Sequence, residues 1–166
     1  MIELYSCDTV NGHRAAIMLA EGELEFHSNI LDLGAGEHKT PEFRKINPVG
    51  AVPVIIDPDG PGGEPLTLAQ TGAICLYVAE KTGRFIPEDP RTRALAYQYF
   101  MEAMSDVVLY SGAYSFSLVR FPDPSEGNTK TFEGPLLEHF AEFDRRLGEV
   151  EWLAGEYSIA DIAAYP

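Results

Sequence analysis

Short apolar runs alternate with helical patterns over the first eighty residues. Residues 2–6 form a β-type run. Residues 11–21 carry apolar Ala15, Ile17, Met18 and Leu19 without a breaker, which predicts a helix. Residues 25–31 predict a second strand, closed by Leu33-Gly34-Ala35-Gly36. Strand, helix, strand at this spacing is a βαβ unit, which favours a parallel pair with a right-handed crossover. Residues 37–44 are polar and predict a loop with a short helical turn. Val54-Ile55-Ile56 is a strand starting just after Pro53, and Pro65-Leu66-Thr67-Leu68 is a short strand facing it. The glycine- and proline-rich run at 57–63 between them makes a hairpin. Residues 71–81 predict a helix with apolar Ile74, Leu76, Tyr77 and Val78, and Gly83 comes after it as a stop signal.

From there the pattern turns wholly helical. Residues 84–90 predict a linker between domains at 1–83 and 91–166. Residues 91–119 predict one long amphipathic segment. Residues 121–131 are polar and predict a loop. Residues 132–150 predict a helix with Leu136, Phe140, Phe143 and Leu147 on one face. Ser158-Ile159-Ala160-Asp161 has the form of a capping box, in which the serine accepts from an early N–H while the acid reaches back. The sequence given stops at Pro166, soon after this cap, so the helical domain is expected to be incomplete within it.

Composition narrows the function. The 166 residues are 45% hydrophobic and 23% charged, enough for a real core. Twelve basic residues against twenty-six acidic ones leave a net charge of −14. So negative a surface repels phosphate backbones and anionic lipid, which argues against nucleic-acid and membrane partners. The start at Met1 lacks the basic and apolar pattern of a signal peptide, and no apolar run approaches spanning length. The only cysteines are Cys7 and Cys75. They make neither a disulfide scaffold nor a metal-ligand spacing, so no metal is expected and a reducing cytoplasm is the natural compartment.

Three stretches resemble the cytosolic glutathione transferases. Asn47-Pro48-Val49-Gly50-Ala51-Val52-Pro53 resembles the segment leading into that family's cis-proline. Residues 68–77, from Leu68-Ala69-Gln70-Thr71 onward, resemble the opening of its glutathione-binding helix. Tyr157-Ser158-Ile159-Ala160-Asp161 resembles the folding motif of its helical domain. Thr9-Val10-Asn11-Gly12-His13 resembles the signature of the Nu class, as do Gly62-Gly63-Glu64-Pro65-Leu66 and Glu80-Lys81-Thr82-Gly83. The resemblance implies an α/β thioredoxin-like N-terminal domain followed by an all-α domain. It also implies a homodimer that uses glutathione as co-substrate on a second substrate, whether disulfide, peroxide or electrophile. Relatives of that class include disulfide reductases and a regulator with little transferase activity, so a non-catalytic binding module stays open.

Site residues come from the same resemblance. A thiol titrates at roughly 8.5, and neutral donors or a helix N-terminus lower that. Thr9 and Asn11, where the first strand hands over to the first helix, are the donors implied for the glutathione sulfur. Spacing alone reads them as helix caps. Val52, before Pro53, is implied to pair with the cysteinyl backbone of the ligand. Gln70 and Thr71, at the start of a helix, suit the γ-glutamyl carboxylate. Gln70 stands where the Nu class is expected to have glutamate, which removes a charge that would face the ligand's ammonium and leaves the identity of its counter-ion open, although other transferase classes carry Gln-Thr here. His38 or Lys39 is the cation for the glycyl carboxylate, with a surface role for that pair still open. Cys7 is the rival nucleophile, but it has no Cys-x-x-Cys partner and Asp8 sets a negative charge beside it. Cys75 falls in an apolar helical pattern and reads as core. Tyr110, Tyr114 and Phe116 read as core or as the wall of a second-substrate pocket.

Overall fold

A computed structural model describes residues 1–119 and 126–166. By its internal contacts the chain divides into two compact units, Met1–Arg84 (with Pro166) and Phe85–Tyr165.

The first unit is a four-stranded mixed sheet with helices. Its elements are β1 (Ile2–Ser6), α1 (Val10–Glu21), β2 (Phe26–Ile30), α2 (Pro41–Ile46), β3 (Val54–Asp57), β4 (Leu66–Ala69) and α3 (Thr71–Thr82). The strand order is β2-β1-β3-β4. β1 and β2 are parallel, as the βαβ spacing requires, while β3 runs antiparallel to both β1 and β4. On β1, Ile2, Leu4 and Ser6 are buried on one face, and the intervening Tyr5 meets Phe43 of α2 at 5.9 Å between rings. Successive strand residues point to opposite faces, so α2 covers the face that Tyr5 presents. α1 and α3 pack together, contributing buried Ala15, Met18, Leu19, Ile74, Cys75 and Val78. Val54 and Ile55 are both fully buried although adjacent, so β3 is covered on both sides. This explains its continuous apolar run.

The predicted loop at 37–44 is more ordered than its polarity implies. A 3₁₀ turn spans Glu37–Lys39. Next comes α2, with Thr40 as its N-cap, accepting from Phe43 N–H, and Pro41 in its first turn. Polar composition hid a helix held mainly by its caps and by one buried anchor, Phe43.

The second unit is helical: α4 (Pro90–Met101), α5 (Val108–Val119), α6 (Glu126–Leu147) and α7 (Ile159–Ala164). Asp89 caps α4 by accepting from Thr92 N–H at 2.8 Å. α4 packs on α7, where Ala96, Ala160 and Ala163 are all buried and allow close approach. Within this unit Phe85 is buried, and its carbonyl accepts from Ile159 N–H at 3.0 Å.

Two helical expectations need correction. The long segment at 91–119 is not one regular helix. Glu102–Val107 forms a π-helical stretch that joins α4 to α5. A π turn adds a residue to the winding and rotates the helix beyond it, which apolar periodicity alone does not reveal. Of the loop expected at 121–131, residues 126–131 are the first turns of α6, and 120–125 lie outside the described residues. The amphipathic body of α6 carries its polar start with it, overriding weak local propensity. On α6, Leu136 and Phe143 are buried but Phe140 and Leu147 are 43% and 47% exposed. The apolar stripe is wider than the surface that covers it.

Candidate functional site

Sheet register places three separate segments at one end of the first unit. Tyr5 pairs with Val54 and Val54 with Ala69, making a lateral row across β1, β3 and β4. Because β3 runs antiparallel, the residues just beyond this row are Ser6 at the end of β1 with Cys7 to Thr9 after it, Pro53 and Val52 before β3, and Gln70 and Thr71 after β4. Both twelve-residue helices, α1 and α3, begin here, so two sets of free N–H groups and two positive helix ends share this edge. The register thus brings Thr9, Asn11, Val52, Pro53, Gln70 and Thr71 together.

Thr9 is the N-cap of α1. Its Oγ1 accepts from Gly12 N–H at 3.2 Å and lies 3.4 Å from Cys7 Sγ. The cap consumes a lone pair, not the hydroxyl proton, so Thr9 keeps the capacity to donate. Thr9 is exposed and Asn11 half-buried. Asn11 Oδ1 accepts from Arg14 Nη1 at 3.1 Å. Gly12 is required: a Cβ there would meet Cys7 O at 2.2 Å and Ser6 Oγ at 2.4 Å.

Asn47 organises the approach to Val52. Its Nδ2 donates to Ala51 O at 2.8 Å, its Oδ1 accepts from Val49 N–H at 3.3 Å, and its own carbonyl accepts from Gly50 N–H. Gly50 has φ +63°, and a Cβ on it would sit 2.6 Å from His38 O. Only glycine satisfies both conditions. The Val52–Pro53 bond is cis. Among the described residues, neither backbone group of Val52 has a partner.

Gln70 precedes α3 at φ +78°, outside the ordinary range for a residue with a Cβ, and its side chain makes no cap. Strain of this kind costs about 1–3 kcal/mol and persists where the surroundings impose it. Gln70 is exposed, whereas Thr71 is buried.

His38 and Lys39 lie beside the Val49–Gly50 turn. Lys39 Nζ donates to Gly50 O and Val49 O, so this cation is already engaged by carbonyls. His38 Nδ1 is buried without a hydrogen-bond partner.

The two cysteines differ. Cys7 is 6% exposed at the end of β1, beside Thr9. Cys75 is fully buried, and burial pushes its thiol up to about 12 against the opposing pull of Arg14. In the helical unit, Tyr110 stacks on His139, whose Nδ1 pairs with Glu102 at 2.6 Å. Tyr114 is half-buried. Phe116 lines an apolar groove of about 590 Å³ with Val108, Leu109 and Phe132.

Sequence reasoning missed two contributors. Arg14 interrupts an apolar helical pattern three residues after Asn11, a usable signal. Asn47 was visible only as part of a motif. Among the described residues, no group of three or more His, Cys, Asp or Glu can hold a metal, and no helix is long and apolar enough to cross a membrane.

Comparison with known proteins places this geometry. The N-terminal domain of glutathione S-transferases matches residues 2–80. The disulfide-bond oxidoreductase YfcG of Escherichia coli K12 is 36% identical over 168 residues, covering 100% of this chain and 78% of the relative. The disulfide-bond oxidoreductase YghU of the same organism is 27% identical over 174 residues, covering 99% and 59%. A glutathione transferase family member from Pseudomonas fluorescens pf-5, solved with two glutathiones bound, superposes at TM-score 0.92. It is 32% identical, with 99% of this chain and 74% of that one covered. A glutathione transferase from Pseudomonas putida with one glutathione disulfide bound per subunit superposes at TM-score 0.91. There the identity is 33%, and 98% and 71% of the two chains are covered.

Proposed function

The chain belongs to the glutathione S-transferase family, and on that premise we propose that it binds glutathione at the sheet end described above and uses the thiolate on disulfides, peroxides or electrophilic carbon. One observation carries this reading: the register convergence of Thr9 and Asn11, Val52, and Gln70 and Thr71. Each part of the tripeptide finds chemistry that suits it. The Thr9 hydroxyl and the Asn11 amide are neutral donors for the sulfur, backed by the α1 N-terminus. Val52 offers an unpaired N–H and C=O to the cysteinyl backbone. Gln70 and Thr71 open α3, whose N–H groups suit the γ-glutamyl carboxylate. His38 and Lys39 lie beside the turn that leads to Val52; Lys39 already donates to the Val49 and Gly50 carbonyls, so His38 is the better suited to the glycyl carboxylate.

The electrostatic gain is easily scaled. A thiol of pKa about 8.5 is roughly 3% thiolate at pH 7, and lowering it to about 6.5 makes it roughly 75% thiolate.

The relatives named as disulfide-bond oxidoreductases favour a disulfide as second substrate. The bound thiolate attacks the glutathionyl sulfur of a mixed disulfide. A new S–S bond forms glutathione disulfide, the old S–S bond breaks, and the departing thiolate takes a proton from water. A homodimer fits the exposed apolar residues of the helical unit, Leu109, Phe116, Leu137 and Phe140 among them.

A second reading has its own observation. Cys7 Sγ lies 3.4 Å from Thr9 Oγ1, so a protein thiol sits beside the same donor. In that reading the protein is a Cys7-dependent thiol transferase. Isothermal titration with reduced and oxidised glutathione, paired with a mixed-disulfide reduction assay, tests the proposal. Micromolar binding and turnover are expected. No binding of either form would overturn it, and binding without turnover would leave a non-catalytic module.

A further inference from the structure

We propose that Arg14 is a positioning residue, whose buried guanidinium fixes the Asn11 side-chain amide so that its N–H groups face away from the protein interior and are held ready for the glutathione thiol. The inference rests on the functional reading above and deepens it.

The geometry is specific. Arg14 is 2% exposed, on a helix whose neighbouring buried positions are Ala15, Met18 and Leu19. Arginine is rarely buried so completely unless it makes specific contacts. One such contact is Nη1 to Asn11 Oδ1 at 3.1 Å, between residues three apart on α1. An asparagine amide can ordinarily turn over, exchanging its oxygen for its nitrogen. Here that exchange is forbidden, because a guanidinium has five donors and no acceptor. The turned amide would set N–H against N–H next to a fixed charge. Only the orientation with Oδ1 toward Arg14 remains.

The consequence falls on the other end of the amide. Nδ2 has no partner among the described residues. It is therefore a donor with a fixed direction and nothing to donate to. A freely turning asparagine would offer oxygen to a thiolate part of the time, which repels it. Fixing the donor beforehand removes that cost when the thiol ionises. A lysine would be less suitable, since it is a flexible point charge with no planar fork. Burial pulls the Arg14 pKa down from its ordinary value. A guanidinium nevertheless stays charged through the range in which a thiol titrates, so the device works at every relevant pH.

The test is the thiol pKa of bound reduced glutathione, read by ultraviolet thiolate absorbance across pH. It is measured in wild type, Asn11→Ala, Arg14→Met, Arg14→Lys and the double variant Asn11→Ala/Arg14→Met. S-methylglutathione, which has no ionisable sulfur, reports binding through the rest of the tripeptide. Arg14→Met is expected to raise the bound thiol pKa by about one unit, a tenfold change in acidity. Asn11→Ala should do the same, and the double variant should add nothing further. Arg14→Lys should recover part of the effect, with S-methylglutathione affinity unchanged within about twofold. A purely structural Arg14 would move S-methylglutathione affinity and thermal stability but not the thiol pKa, and that result overturns the proposal.

If Arg14→Met does not fold, Asn11→Asp decides the matter. Its carboxylate still accepts from Arg14, so the melting temperature should hold or rise, yet the outward N–H is gone and the thiol pKa should rise. An unchanged thiol pKa there overturns the role. Wild-type protein that fails to bind glutathione, or binds it without lowering its thiol pKa, overturns the functional reading itself.

Discussion

The Tyr77 phenol donates a 2.6 Å hydrogen bond to Asp57 Oδ2, tying α3 to the last residue of β3. Lys81 Nζ reaches the same oxygen at 2.9 Å and also donates to Asp59 O, while Asp59 N–H donates to Asp57 Oδ1. Asp57 is 2% exposed. Burial pushes its carboxyl up, but the hydrogen bonds from Tyr77, Lys81 and Asp59 outweigh that and hold it below its ordinary value. The hydrogen bond to Asp57 raises Lys81.

A depressed carboxyl contributes stability above its unfolded pKa, about 3.9, and loses it as pH falls through the folded value. The raised lysine contributes below its unfolded pKa, about 10.4, and loses its share as pH rises through the folded value. Asp57→Asn is therefore expected to cost about 1.5–3 kcal/mol at pH 7, as for hydrogen bonds to a charged group. The gap from wild type should close at strongly acid pH. Urea unfolding across pH checks this, and a gap undiminished by acid would show that the charge is not what matters.

Thr9 serves the helix and, on the proposal above, the ligand. Thr9→Val removes the cap and is expected to cost about 0.5–2 kcal/mol of stability. It should also lower kcat/KM for glutathione at least about tenfold, equivalent to about 1.4 kcal/mol. Thr9→Ser keeps the hydroxyl and should stay near wild type in both. Parallel unfolding and initial-rate measurements separate the two effects, and a Thr9→Val enzyme with unchanged kcat/KM would remove Thr9 from the thiol site.

Gln70 combines positive φ with a position at the sheet end where glutathione is proposed to bind. Gln70→Gly should relieve backbone strain and leave stability unchanged or about 1 kcal/mol higher. Its glutathione affinity should weaken. Gln70→Glu supplies a charge for the γ-glutamyl ammonium and should tighten glutathione by roughly three- to tenfold, within the range of a charge-assisted hydrogen bond. Titration calorimetry of both variants decides whether this residue faces the ligand.

On the proposed mechanism, in which glutathione carries the reacting sulfur, Cys7→Ala should retain most of the mixed-disulfide reductase rate. Loss of turnover with glutathione binding intact would favour the Cys7 reading. Cys75, buried and with its thiol at about 12, should resist alkylation until the unit unfolds. Mass spectrometry of labelled protein along a urea titration reads both thiols at once.

Elements with a local chemical cause were legible in the sequence. Ser158 and Asp161 form the capping box that their spacing announces, with Asp161 Oδ2 accepting from Ser158 N–H at 3.0 Å. The second oxygen of Asp161 accepts from Leu153 N–H, a contact eight residues away that no local rule predicts. The βαβ unit and the hairpin could be read from turn residues and apolar runs. The π stretch at Glu102–Val107 could not, because apolar spacing cannot distinguish a wide turn from a change of face. The burial of Arg14 was signalled only by its place inside an apolar helical pattern, since charge normally marks a solvated position. For the candidate site, the motif resemblance named the residues and the register places their segments at one end of the sheet.

The sheet has two poles with different duties. At one, the ends of β1 and β4 and the start of β3 meet beside two helix origins. At the other, the turn from Asp57 to Leu66 closes the hairpin and the Asp57–Tyr77–Lys81 brace fastens it to α3. The distance between them is the length of β3, four residues or roughly 13 Å. Changes at the fastening pole therefore act on how firmly the sheet holds, whereas changes at the opposite pole act on the proposed glutathione site and, at Thr9, on the α1 cap as well. Insertions within residues 60–65 should leave the proposed glutathione site untouched, whereas one extra residue between Val52 and Val54 would carry the Val52 backbone out of line with Thr9 and Thr71.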